Sequence, residues 1–514
     1  MNTCDDLEKP PGSIGPAIFK DPESDRRIIL ATPCGDERLY RGRVHHTFPL
    51  DQAVERLVGG TTLRLLPGKY YRAVDVKAKR GGESDPIVIE GSLGPDGSLQ
   101  SQICGTNAAG AIYPDLPTRN DYAFFKVRGC RHLILRQMHV ESCWPSFVYA
   151  EHSSSLTVEG VVGQDGTYLV FVRGPDSRDI AVRGCRWVQD PTGTMWSAID
   201  WSHTHHGPYA YYNGALVGGI DLESGLEVVG NVVEHAYNGV RFTTSAKSKN
   251  EILGRFNVNV RIHGNEFSNI RDNVIEPERT LINWHISDNR MKNTHAPFSI
   301  HDFVGGYLYI YGNRIWFDDR GGADYQGHRG GKIFKLRPKG PMPDHPIHIF
   351  HNSVYSRTFL IKKARSRNFV HRNNAVQFCE PSAHDLPCLC RGCREFLNKF
   401  PVDGDEHPLP WDKSVVFDGD ASNRSFGKTL ADAGQEENGI KRDQLGFVDP
   451  LSGDFALLAQ SPLRDAGLVF TLESKRDLPE DQLSWSNWAR PGRPHIGAVQ
   501  KEDGAITLPF VPVS

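Results

Sequence analysis

Val260-Arg261-Ile262-His263-Gly264-Asn265-Glu266-Phe267 is the stretch on which the fold turns. Apolar and polar residues alternate, Gly-Asn interrupts them, and a second short run begins. Period-two alternation marks a half-buried strand, and Gly-Asn marks a turn. The unit recurs as Leu226-Glu227-Val228-Val229-Gly230-Asn231-Val232-Val233 and as Trp284-His285-Ile286-Ser287-Asp288-Asn289-Arg290-Met291. It returns as Leu308-Tyr309-Ile310-Tyr311-Gly312-Asn313-Arg314-Ile315 and Ile347-His348-Ile349-Phe350-His351-Asn352-Ser353-Val354. The asparagines at 231, 265, 289, 313 and 352 stand 34, 24, 24 and then 39 residues apart, the last interval implying an insertion. A period in the twenties with short strands and no helical pattern means a β-solenoid. The expected fold is all-β, a single-stranded right-handed parallel β-helix. Asparagine suits its turns because it tolerates left-handed φ and its amide can bond to the next coil's in a ladder. Val127-Arg128-Gly129-Cys130-Arg131 and Val182-Arg183-Gly184-Cys185-Arg186 read as one turn in two coils, with buried, stacked cysteines.

The sequence divides around this repeat. An irregular, Pro-rich leader is expected at 1–45, the β-helix at 46–378, a Cys-containing insertion at 379–440 and a closing segment at 441–514. Leu50, Ala53, Val54 and Leu57 fall on one helical face, so a short helix over 50–57 is expected to cap the open end of the solenoid. Net charge is −3, so no whole-chain basic field draws the protein to nucleic acid. No apolar stretch approaches the roughly 20 residues of a membrane helix, and no signal peptide is visible. The expected localisation is cytoplasmic, or exported with its signal removed. Cys379, Cys388, Cys390 and Cys393, with His384 among them, are a candidate structural zinc site, with disulfides or free thiols as the alternatives.

Alternation also places polar residues. If Val240, Ile275, Phe298 and Phe334 point inward, then Arg241, Glu276, Ser299 and Lys335 form one outward column. Thr243, Glu278, His301 and Arg337 form a second. Coils lie about 4.8 Å apart and same-face neighbours about 6.6 Å apart. Asp200 is expected on an earlier strand, and the loop 202–212 brings Tyr211 and Tyr212 for sugar stacking. A solvated charged face is the plainer reading of such columns. Two acids, a histidine, a lysine and two arginines on four consecutive coils favour a functional groove open to solvent, with Arg241, Asp200 and Arg279 as substrate-binding groups.

Gly59-Gly60-Thr61-Thr62-Leu63-Arg64-Leu65-Leu66-Pro67-Gly68-Lys69-Tyr70 and Asp85-Pro86-Ile87-Val88-Ile89-Glu90-Gly91 resemble the opening coils of pectate-lyase-like β-helix proteins. The resemblance continues at Gly446-Phe447-Val448-Asp449-Pro450, at 461–467 and at His495-Ile496-Gly497-Ala498. The nearest enzyme group is the polysaccharide lyase family of alginate lyases and chondroitinase B. In those lyases an acidic pair on one coil holds calcium, and Lys and Arg act as base and acid. The resemblance therefore implies Glu276 and Glu278 as the Ca²⁺ pair, Lys335 or His301 as base, and Arg337 and Arg241 as neutralising or protonating groups. The chain departs from that pattern: Arg279 follows the acidic pair, and the lysine arrives two coils later. The expected function is cleavage of an acidic polysaccharide or oligosaccharide by β-elimination, with no organic cofactor. The alternatives are an inverting glycoside hydrolase, with Asp200 and Glu276 about 9.6 Å apart, and a glycan-binding solenoid without turnover.

Overall fold

The computed structural model describes residues 18–20, 26–105, 123–141, 146–189, 214–246, 255–300, 303–318, 332–336, 343–356, 359–362, 367–378, 414–424, 434–470, 472 and 493–499. The chain forms two compact units, Met1–Ala236 and Tyr237–Ser514. Each is a parallel β-helix whose coils contribute strands to three sheets.

In the first unit, sheet one runs Arg27–Thr32, Thr61–Leu65, Ile87–Gly91, Arg131–Arg136, Ser154–Glu159, Arg178–Arg183 and Ser224–Val229, each parallel to the next. Sheet two begins at Gly68–Tyr70 and ends at Val232–Glu234. Sheet three runs from Val74–Lys77 to Ala215–Ile220. Alternation explains the core. Leu133, Leu156, Ile180 and Leu226 stack in register, as do Leu135, Val158, Val182 and Val228, and all are buried. Each such side chain contributes about 1.5–3 kcal/mol by leaving water. Ile134, Thr157, Ala181 and Glu227, one residue out of phase, form the opposite face of the same sheet.

In the second unit, sheet one runs Val258–His263, Arg279–Ser287, Phe303–Tyr311, Ile347–Phe350, Phe369–Arg372 and Val416–Asp418. Sheet two runs from Glu266–Ser268 to Ile440–Lys441. Sheet three holds Asn238–Thr243, Asn273–Pro277, Ala296–Ser299, Lys332–Lys335 and Phe359–Lys362. An asparagine ladder runs along the turn from sheet one to sheet two. Asn289 Oδ1 accepts both the backbone N–H of Asn265, at 3.1 Å, and its Nδ2, at 2.9 Å. The same pair of bonds joins Asn289 to Asn313, Asn313 to Asn352, Asn352 to Asn374, and Asn374 to Asp420. The left-handed φ expected of asparagine falls instead on the residue before it: Gly264, Asp288, Gly312, His351, Asn373 and Gly419. A tight corner needs one left-handed residue, and the asparagine then points its amide inward along the stack.

Several expectations change. The helix Leu50–Glu55 exists, with Leu50, Ala53 and Val54 buried, but an end-capping role is not evident. Strands Ile18–Lys20 and Arg27–Thr32 precede it, within the region expected to be an irregular leader, and the second pairs with Thr61–Leu65. Strands Val416–Asp418 and Ala421–Ser422 continue the solenoid inside the expected insertion. Cys130 and Cys185 are buried and free but occupy different turns. Cys130 leads from sheet three into sheet one, whereas Cys185 holds a ladder position, its N–H donating to Asn231 Oδ1 at 2.9 Å. Among the described residues no helix is long and apolar enough to cross a membrane.

Candidate functional site

Sheet three of the second unit gathers a buried charged cluster. Arg241 faces Glu276 across the strand pair, Ile275 faces Phe298, and Ser299 faces Lys335. That register sets Arg241, Glu276, Ser299 and Lys335 side by side in one column. The column is not the open face expected from alternation, because Glu276 is 4% exposed and Ser299 fully buried. Alternation names the side of a sheet but not what covers it.

Glu276 is held from three directions. Arg241 Nε donates to its Oε2 at 3.1 Å, and Asn273 Nδ2 donates to its Oε1 at 2.7 Å. Lys335 Nζ lies 3.8 Å from Oε1 and also 3.8 Å from Asp272 Oδ1, and it donates to Asn273 Oδ1 at 3.3 Å. The Arg241 guanidinium reaches further, its Nη2 donating to Glu278 Oε2 at 2.9 Å. Glu278 sits just past the strand, its N–H bonded to the Phe242 carbonyl at 2.8 Å. Burial, then the neighbouring Asp272 charge, pushes the Glu276 carboxyl up to about 7, with Arg241 and Lys335 pulling against them. A carboxyl in that range can give or take a proton at neutral pH. Lys335, at 20% side-chain exposure, is the more open of the two partners.

Asp272 and Asn273 were not expected in the site. Asn273 opens its strand, and its N–H is accepted by Asn238 Oδ1 at 3.0 Å. The interval from Asn238 to Asn273 equals that from Arg241 to Glu276, and this repeat could have revealed them. Arg279, expected as a substrate-binding group, turns away from the cluster. It has a left-handed φ of 69°, begins a strand of sheet one, and directs Nη1 toward the Thr244 and Ala246 carbonyls at 3.4 Å. His301, Arg337, Asp200, Tyr211 and Tyr212 lie outside the described residues, as do Cys379, Cys388, Cys390 and Cys393.

Calcium takes about 6–8 oxygen ligands at 2.3–2.6 Å. At the Glu276–Glu278 pair, one oxygen of each carboxylate accepts from Arg241, and the second oxygen of Glu276 accepts from Asn273. Two cationic side chains, Arg241 and Lys335, already flank Glu276. These residues as arranged do not fit a calcium ion.

No family model matches the sequence, and no curated protein matches it. Solved structures are similar. One is a mutant of the PL6 family alginate lyase AlyGC, at 12% identity and TM-score 0.47, covering 84% of this chain and 58% of that one. A PL6 family polysaccharide lyase from Pseudopedobacter saltans shows 9% identity and TM-score 0.45, with coverage of 86% and 98%. Pectate lyase Pel9A shows 10% identity and TM-score 0.40, with coverage of 92% and 96%. The strand pairings of this chain make the fold a parallel β-helix, and the chain spans 58% of the length of the first of these structures.

Proposed function

We propose that this protein cleaves a uronate-containing polysaccharide or oligosaccharide by β-elimination. The observation that carries the reading is Glu276, a buried carboxyl poised near neutrality between Arg241 and Lys335. Elimination removes the C5 proton beside a uronate carboxylate, which is hard until nearby positive charge stabilises the carbanion. Lys335, which donates to Asn273 and lies 3.8 Å from Glu276, is the proposed base that takes the C5 proton. The C5–H electrons form the C4–C5 double bond, the C4–O bond breaks, and the leaving oxygen is protonated. Arg337 is the proposed acid for that last step, His301 is the alternative base, and Glu276 acts as a positioning residue between Arg241 and Lys335.

A second reading keeps the same site. A carboxyl protonated near pH 7 is also what the general acid of a glycoside hydrolase requires. The products separate the two, since only elimination leaves an unsaturated, ultraviolet-absorbing sugar. Incubating the protein with a panel of acidic and neutral glycans, and following chain length and absorbance together, tests both. Shortening with absorbance supports elimination, shortening without it supports hydrolysis, and binding without shortening on every glycan sinks both.

A further inference from the structure

The acidic pair on which calcium was expected is already bridged. We propose that Arg241 is the built-in cation of this site, standing where a divalent ion would otherwise sit between Glu276 and Glu278. The geometry is specific. One planar guanidinium spans both carboxylates, Nε to Glu276 and Nη2 to Glu278, from the neighbouring coil directly in register with Glu276. Asn273 occupies the remaining oxygen of Glu276, so only Glu278 Oε1 lies outside these contacts. An arginine stays charged at any working pH, and its rigid fork suits bridging carboxylates. It is tethered to the coil, so the charge neither dissociates nor responds to a chelator.

The substitution has a chemical consequence. A divalent ion holds its carboxylate ligands ionised. Arginine brings one positive charge to two glutamates, with Asp272 close by, and so leaves room for Glu276 to keep a proton. The inference itself concerns cation binding and needs no turnover, so failure of the lyase reading leaves it standing.

The test is calcium binding by the full chain, followed by titration calorimetry and by thermal unfolding with calcium chloride or a chelator. The wild type is expected to show no calcium heat that depends on Glu278, and an unfolding midpoint indifferent to either reagent. Arg241→Ala removes the bridge and is expected to bind about one calcium per chain, with its midpoint raised by calcium. Calcium bound by the wild type and lost in Glu278→Gln would overturn the proposal. So would an Arg241→Ala protein that folds but gains no calcium binding, since the pair would then not be a cation site. If Arg241→Ala does not fold, the smaller Arg241→Lys change decides. A lysine retains a charge but cannot span both carboxylates, so calcium should bind it more tightly than the wild type, and equal binding overturns the proposal.

Discussion

Each unit buries a glutamate on a strand, and the two are held differently. Glu90, in the first unit, is 2% exposed and lies in register between Arg64 and Arg136 on the coils either side. Arg64 Nε donates to one of its oxygens and Arg136 Nε to the other, each at 2.9 Å. Arg136 also pairs with Glu159 at 3.5 Å, so two cations serve two acids. Glu276, in the second unit, has Arg241, which it shares with Glu278, and Lys335, which it shares with Asp272, so two cations serve three acids. Burial, then the Asp272 charge, pushes its carboxyl up to about 7. Burial is common to both, so burial alone does not mark a site. What separates them is the ratio of cations to acids within bonding reach.

That comparison breaks if the two glutamates behave alike. On any glycan the wild type cleaves, Glu276→Gln should lower turnover by up to about 10²-fold, the scale of loss when a reacting group is misplaced by about 1 Å. Glu90→Gln should leave turnover near the wild-type value; a matching loss would show that the cation ratio has no bearing on function. Gln is the right probe because Glu276 is buried, and Ala would open a cavity.

Stability should respond to pH at Glu276. Its folded-state value lies above the ordinary carboxylate one, so the unfolded chain releases the proton first. Stability is therefore full below about pH 4.5 and lost as pH rises through about 7, by about 3 kcal/mol at most. Denaturant unfolding of the wild type and Glu276→Gln at several pH values checks this. The wild type should lose ground to the variant as pH rises, and parallel curves would contradict it. Glu90→Ala should cost about 2–3 kcal/mol, because it removes the buried acid between Arg64 and Arg136, which keep Tyr40, Glu159 and partial access to water.

Two smaller effects sharpen the picture. Asn289→Ala should cost about 2 kcal/mol, since it removes the acceptor of the buried Asn265 N–H and the bond to the Ile262 carbonyl. Arg279→Gly should raise the unfolding free energy by up to about 1 kcal/mol, because Arg279 holds a left-handed φ that costs a side chain. A drop in turnover with that variant would return Arg279 to the substrate.

Alternation and the spacing of the Gly-Asn units were enough to determine the solenoid, the ladder asparagines and the column of Arg241, Glu276, Ser299 and Lys335. The reason is geometric: a strand has period two, and coils that keep the same turn stack like residues on like even where insertions lengthen them. Only the tertiary structure decided that Glu276 is buried, that Arg241 reaches both glutamates, and that Asp272 and Asn273 join them. Periodicity assigns a side chain to a face. It carries no information on what covers that face, or on where a long flexible arginine ends, because those depend on residues distant in sequence and near in space. Arg279 shows the same limit: it holds a left-handed φ at the start of a sheet-one strand, and its guanidinium points to the Thr244 and Ala246 carbonyls rather than to Glu276.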